Sequence, residues 1–152
     1  MTYLQIIAGA AKAAKVSATL LYSICAYESN GFMYDYTMYD AGSPSYSVCQ
    51  IKENSARQLG FTGEAMELRD PRVGIKYAAL YLRYQQERYG NDWVKIVSAY
   101  NAGSYIESTK VPNCPRNLKY ITKVKERLEK DLQYKLSCDI KDSSRFIDRL
   151  EK

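Results

Sequence analysis

The sequence predicts a mainly α-helical domain with a short irregular or β-like region after its second helix. Apolar residues recur at a period near 3.6 in successive segments, strong start and stop signals flank those segments, and runs alternating apolar with polar residues are scarce. The 152 residues suit one domain, 1–152, and 46% hydrophobic with 26% charged residues is ordinary globular composition, which excludes disorder and fibrous repeats. Lys12 and Lys15 interrupt the one apolar stretch near the start, so no membrane insertion is expected.

In chain order, residues 2–15 carry Leu4, Ile7, Ala8, Ala11 and Ala14 on one helical face. Ser17 is a cap for a second helix running to about Ser29, stopped by Asn30-Gly31. Tyr34, Tyr36, Tyr39 and Tyr46 flank Asp40-Ala41-Gly42-Ser43-Pro44 without helical period, which reads as a loop. Residues 47–59 resume a helical or turn-helix pattern ending at Gly60. Asp70-Pro71 supplies a cap and a first-turn proline for a long helix that carries Ile75, Ala78, Ala79 and Leu82 and ends near Tyr89-Gly90. Tyr77, Tyr81 and Tyr84 on that helix are expected to form one packed face. Asp92 caps a shorter helix with Trp93, Ile96, Val97 and Tyr100 on one face, closed by Asn101-Ala102-Gly103. Residues 117 to about 136 predict a last long helix through Leu118, Ile121, Val124, Leu128 and Leu132, and 137–152 a short extra one.

Histidine is absent, which removes the commonest general base and metal ligand. Chemistry must then run on carboxylates, tyrosines or thiols. Cys25, Cys49, Cys114 and Cys138 form no Cys-x-x-Cys pair, so no metal and no cofactor is expected. The cysteines read as small buried hydrophobes, with a disulfide such as Cys114 to Cys138 left open.

The net charge of +5 lies wholly in the C-terminal segment: residues 1–109 hold ten basic and ten acidic side chains, residues 110–152 twelve and seven. Lys119, Lys123, Lys125, Arg127, Lys130 and Lys135 either face an anionic polymer or form a solvated helix face offset by Glu126, Glu129 and Asp131.

Glu28 is out of place. At about 100° per residue it lies within roughly 60° of Leu21, Ile24 and Cys25, on the apolar stripe at the C-terminal end of the second helix. Apolar surroundings and the negative helix end both disfavour its ionised form, as a general acid requires. A glutamate there can instead turn to solvent or pair with an arginine.

Three ordered motifs now bear on Glu28. Ile24-Cys25-Ala26-Tyr27-Glu28-Ser29-Asn30-Gly31-Phe32 resembles the catalytic Glu-Ser motif of the lysozyme-like lytic transglycosylases, the superfamily that includes goose-type lysozyme. Ser45-Tyr46-Ser47-Val48-Cys49-Gln50-Ile51-Lys52 resembles the Gly-Leu-Met-Gln segment, and Ala99-Tyr100-Asn101-Ala102-Gly103 matches the Ala-Tyr-Asn-Ala-Gly signature unchanged. Leu68-Arg69-Asp70-Pro71 with Tyr81-Leu82 fits the long helix, and Tyr120-Ile121 resembles the C-terminal tyrosine motif. The resemblance spans about residues 5–128 and leaves 129–152 as a C-terminal helical extension. Ser47 stands where the family usually has glycine, Cys49 where it usually has methionine, and Gly74 where asparagine is frequent; the last reads as a local change without catalytic consequence.

The resemblance implies a lysozyme-like helical fold that cleaves peptidoglycan between N-acetylmuramic acid and N-acetylglucosamine. Glu28 would protonate the glycosidic oxygen and then deprotonate the muramic C6 hydroxyl, closing a 1,6-anhydro ring. Tyr100 would hold Glu28, and Ser29, Tyr46, Ser47, Gln50, Asn101 and Tyr120 would meet the glycan. The implied partner is the peptidoglycan glycan strand, met by a monomer; nucleic acid is not expected, because the basic excess lies outside the motifs and no nucleic-acid signature occurs. Two alternatives remain: muramidase hydrolysis with Asp35 or Asp40 positioning water, and a non-catalytic wall-binding or virion module. Met1–Tyr3 has no basic n-region, so no secretory signal is expected, although the substrate lies in the periplasm or cell wall. A phage lysin released at lysis is favoured.

Overall fold

The computed structural model describes residues 1–38 and 42–127. It is mainly helical, with a small antiparallel sheet. The expected helix beyond residue 127, the extension 129–152, Cys138, Lys130, Lys135, Tyr39 and Asp40 lie outside the described residues. The chain divides into two compact units, Met1–Tyr84 and a second from Gln85 onward.

The first unit opens with α1 (Tyr3–Ala14), which packs against α2 (Ala18–Glu28). Thr2 and Gln5 close a reciprocal capping box at its start, and Lys15 ends it in the left-handed conformation. Its buried line is Ile7, Ala11 and Ala14, whereas Leu4 is 61% exposed and Ala8 is exposed; the apolar stripe is narrower than the sequence indicates. Ser17 accepts from the Leu20 amide at 3.1 Å and caps α2 as expected. Leu21, Ile24 and Cys25 are fully buried, each aliphatic contributing roughly 1.5–3 kcal/mol relative to an exposed side chain.

The expected tyrosine loop is partly a sheet. Two-residue strands β1 (Tyr36–Thr37), β2 (Ser45–Tyr46) and β3 (Ile51–Lys52) pair antiparallel in that order, with Tyr36 opposite Tyr46 and Tyr46 opposite Ile51. Strands this short leave no alternating run to read. The turn-helix at 47–59 resolves into a turn at 47–50, β3, and α3 (Glu53–Gln58). A 3₁₀ turn, Ala65–Arg69, precedes α4 (Pro71–Tyr89), where Asp70 accepts from the Arg72 amide at 3.0 Å. The buried line of α4 is Ile75, Ala78, Ala79 and Leu82. Its tyrosines do not form the packed face expected of them: Tyr77 stacks obliquely on Phe61, Tyr81 on Tyr84, and Tyr84 is 41% exposed. Tyrosines flanking a stripe share its period without sharing its burial.

In the second unit, α5 (Trp93–Ala102) is capped by Asp92 and buried almost all round, from Trp93 to Tyr100. Gln85, fully buried, donates to the Ala99 and Gly103 carbonyls, and Arg88 donates to the Gly103 carbonyl and the Ser104 hydroxyl. These bonds supply donors to the Ala99 carbonyl in the last turn of α5 and to the Gly103 carbonyl just beyond it. A loop bridged at Glu107 and Pro115 leads to α6 (Leu118–Glu126), packed against α5 through the buried Leu118, Ile121 and Val124. Among the described residues no helix is long and apolar enough to cross a membrane.

Candidate active site

In the first unit, Glu28 is the last residue of α2. Its residue surface is only half-buried, yet protein hems in the carboxyl, and this burial raises its pKa from 4.5 to about 7. The negative end of α2 acts in the same direction. Burial is the cause of the shift, with no cationic partner for Glu28 among the described residues, and the carboxyl can exchange a proton near neutral pH.

The chain leaves Glu28 through a tight reversal. The Ser29 hydroxyl donates to the Cys25 carbonyl and accepts from the Phe32 amide, both at 2.7 Å, while Asn30, Gly31 and Phe32 all take left-handed φ. Ser29 is fully buried and its hydroxyl is committed to this reversal. Sequence reading makes Ser29 a glycan contact; the geometry makes it the brace of the turn that presents Glu28.

Cys25, one helical turn before Glu28, is disulfide-bonded to Cys49. This corrects the expectation that both are merely small hydrophobes; the pairing of Cys114 with Cys138 that the sequence leaves open involves Cys138, which lies outside the described residues. Cys114 is buried. Only the folded chain brings a helix residue and a turn residue 24 positions away together, and the spacing gives no hint of it.

Because Cys49 precedes Gln50, the disulfide ties the Glu28 end of α2 to the turn between β2 and β3. Ser47 and Gln50 both have left-handed φ, +67° and +54°. The Ser47 carbonyl accepts from the Gln50 amide at 3.1 Å and from Gln50 Nε2 at 3.0 Å, and the Ser47 hydroxyl accepts from the Cys49 amide. A carbonyl only accepts, so Gln50 must turn its side-chain nitrogen toward Ser47.

Ser47 also explains Gly74. A Cβ at Gly74 would meet the Ser47 Cβ at 2.4 Å and the Leu68 carbonyl at 2.3 Å, so helix α4 lies directly against the turn. The two departures at 47 and 74 meet in space, which adds a neighbour to the reading of Gly74 as a local change: the Ser47 side chain and the Leu68 carbonyl together occupy the space that a side chain at 74 would need.

Tyr46 is buried, its ring 5.5 Å from that of Tyr36. Burial first, with Tyr36 and Glu53 adding, holds its hydroxyl above the ordinary tyrosine range, so it remains a proton donor at neutral pH. Asp35 accepts from Arg69 at 2.9 Å, and Arg69 also covers the Tyr36 ring at 5.3 Å. Sequence reading missed Arg69 as a partner, because it sees only the helix start at Asp70-Pro71.

The second unit holds the remaining residues. Tyr100, on α5, and Tyr120, on α6, are buried, whereas Asn101, next to the end of α5, is exposed. Asn101 Oδ1 accepts from Asn117 Nδ2 at 2.9 Å. Asn117 Nδ2 also donates to the Ser98 carbonyl at 3.0 Å, and the Ser98 hydroxyl donates to Asn117 Oδ1. Neither Ser98 nor Asn117 stands out in the sequence, since nothing in their spacing from Asn101 marks a contact. Among the described residues no group of three or more Cys, Asp or Glu is placed to hold a metal ion.

The family described as Transglycosylase SLT domain matches residues 5–118. No curated protein and no solved structure matches the chain.

Proposed function

Since the chain belongs to the Transglycosylase SLT domain family, lysozyme-like enzymes that cleave peptidoglycan glycan strands, we propose that Glu28 carries that reaction alone, as acid and then as base. The observation that carries the reading is a proton-holding carboxyl, pKa about 7, in the Glu-Ser motif at the end of α2. Protonated Glu28 gives its proton to the glycosidic oxygen as the bond to muramic C1 breaks. The resulting carboxylate takes the proton of the muramic C6 hydroxyl, whose oxygen bonds to C1. No water is consumed, and the acid is restored.

The Tyr100 hydroxyl orients Glu28 in this proposal, supported by the unchanged Ala-Tyr-Asn-Ala-Gly signature. Gln50, Asn101 and Tyr46 bind sugar hydroxyls and acetamido groups, Ser47 and Ser29 shape the turns beneath them, and Tyr120 lines the site from α6. Both units serve one catalytic domain, a reading supported by a family match that runs through residues 5–118 of both. The disulfide supports action in an oxidising compartment such as the periplasm or cell wall, whether a phage or a bacterium supplies the enzyme.

Hydrolysis through Asp35 gains no support from a carboxylate already held by Arg69, and Asp40 lies outside the described residues. Mass spectrometry of released muropeptides tests the reading. Anhydro ends, one water lighter than reducing ends, are expected; reducing ends alone would overturn it.

A further inference from the structure

We propose that Ser98 and Asn117 form a relay that fixes Asn101 as a hydrogen-bond donor, and that the enzyme thereby selects N-acetylated over N-deacetylated amino sugars. The proposal rests on the reading of Asn101 as a glycan-binding residue.

An asparagine amide can flip end for end, and a free one offers a ligand either its oxygen or its nitrogen. Here the flip is decided from the backbone outward. The Ser98 carbonyl can only accept, so the Asn117 atom facing it at 3.0 Å must be Nδ2. The Ser98 hydroxyl, on the other side of the same amide, donates to Asn117 Oδ1, consistent with that choice. The second hydrogen of Asn117 Nδ2 points to Asn101, which must answer with Oδ1 at 2.9 Å. Asn101 Nδ2 is then left facing away, with no acceptor among the described residues and with the side chain exposed.

Asn117 gives up an ordinary role to do this. It is the N-cap residue of α6, where asparagine is among the strongest caps, yet its side chain makes no capping bond to that helix. Its amide is turned wholly onto α5. Ser98 is fully buried, so the base of the relay is shielded from competing water.

A donor-only Asn101 matches a group that only accepts. The acetamido carbonyl of an N-acetyl amino sugar is such a group. An N-deacetylated sugar presents an ammonium, which only donates, and two donors facing each other leave both unsatisfied. Ser98 and Asn117 are thus positioning residues, and the specificity they set resides in the orientation of one amide.

The test measures dissociation constants of soluble N-acetylated and N-deacetylated glycan oligomers for the full chain carrying Glu28→Gln, so that binding is read without cleavage. The parent should prefer the acetylated oligomer by about tenfold, one hydrogen bond's worth. Adding Asn117→Asp, isosteric and favourable at a helix N-terminus although it sets an acceptor against the Ser98 carbonyl, makes residue 117 accept only; Asn101 must turn its nitrogen inward and its oxygen out, and the preference should vanish or invert. A new negative charge could attract the ammonium by itself, so the same change is repeated with Asn101→Leu, where it should no longer alter the preference. The neutral Asn117→Leu, which frees Asn101 to swivel, should erase the preference without inverting it, and it carries the test if the aspartate variant fails to fold. An unaltered preference in a folded Asn117 variant overturns the proposal, as does an Asn117→Asp effect that persists without Asn101. Failure of the underlying enzymatic reading is seen separately, as wild-type protein that releases no anhydro muropeptide.

Discussion

Gln50 and Asn101 are both amides, each at the end of a short segment, and the two units lock them by different means. Gln50 is held by its own backbone: two left-handed residues, a carbonyl that takes both of its nitrogens, and a disulfide at the adjacent residue. Asn101 is held by side chains borrowed from Ser98 and Asn117. The first lock is covalent and conformational, so it resists small changes and fails when the chain is cut loose. The second is a string of hydrogen bonds, each worth about 1 kcal/mol net, that a single-atom change can reverse.

The largest effect should come from Glu28→Gln, which leaves both locks intact and removes only the exchangeable proton of the carboxyl. Turnover should fall by at least about a hundredfold. Stability should move the other way. The folded-state pKa of Glu28 lies above the unfolded value, so its contribution is fully present below pH 4.5 and is lost as pH rises through about 7, by up to about 3 kcal/mol. Melting temperatures from pH 4 to 8 should therefore fall more steeply for wild type than for Glu28→Gln, and parallel curves would show that Glu28 ionises freely. Wild-type turnover should likewise decline as pH rises through about 7, where the acid is lost.

Cutting the first lock comes next. Cys25→Ala with Cys49→Ala opens a loop of 24 residues, for which chain entropy predicts a loss of about 3 kcal/mol. Because that loop carries Glu28 and ends beside Gln50, turnover at a temperature where the variant stays folded should drop as well. Full activity in the folded variant would mean that the backbone bonds of the turn suffice without sulfur.

Tyr100→Phe probes the second unit. Loss of the hydroxyl alone should cost about tenfold or more in turnover with little change in melting temperature, because the buried ring is kept. An unchanged rate would reduce Tyr100 to packing.

The smallest and most diagnostic pair is Ser47 with Gly74. Gly74→Ala should destabilise by about 1–3 kcal/mol through collision with the Leu68 carbonyl and Ser47, and Ser47→Gly in the same chain should restore the part due to Ser47, relieving a left-handed serine as well. Strictly additive denaturation energies would show that the two positions do not share the space.

These contrasts also explain what the sequence discloses. Helix starts at Ser17, Asp70-Pro71 and Asp92 are legible because capping is local chemistry, and Glu28 is legible because a carboxylate violates the apolar stripe around it. The Cys25 to Cys49 bond, the fit of Ser47 over Gly74 and the Asn117 to Asn101 contact are not legible, because each joins positions that only the folded chain brings together. Two-residue strands escape notice for the opposite reason: they are local but too short to show a period. The motifs name the residues proposed to meet the glycan, whereas the contacts that orient them are tertiary.

The bond between Cys25 and Cys49 closes a covalent ring that contains Glu28, β1 and β2. A protease that severs one peptide bond anywhere from residue 26 to residue 48 therefore yields no separate fragments. The nicked chain migrates as one species without reductant and as two with it. A chain clipped once beside Glu28 within this ring still keeps both sides of that cut in one molecule.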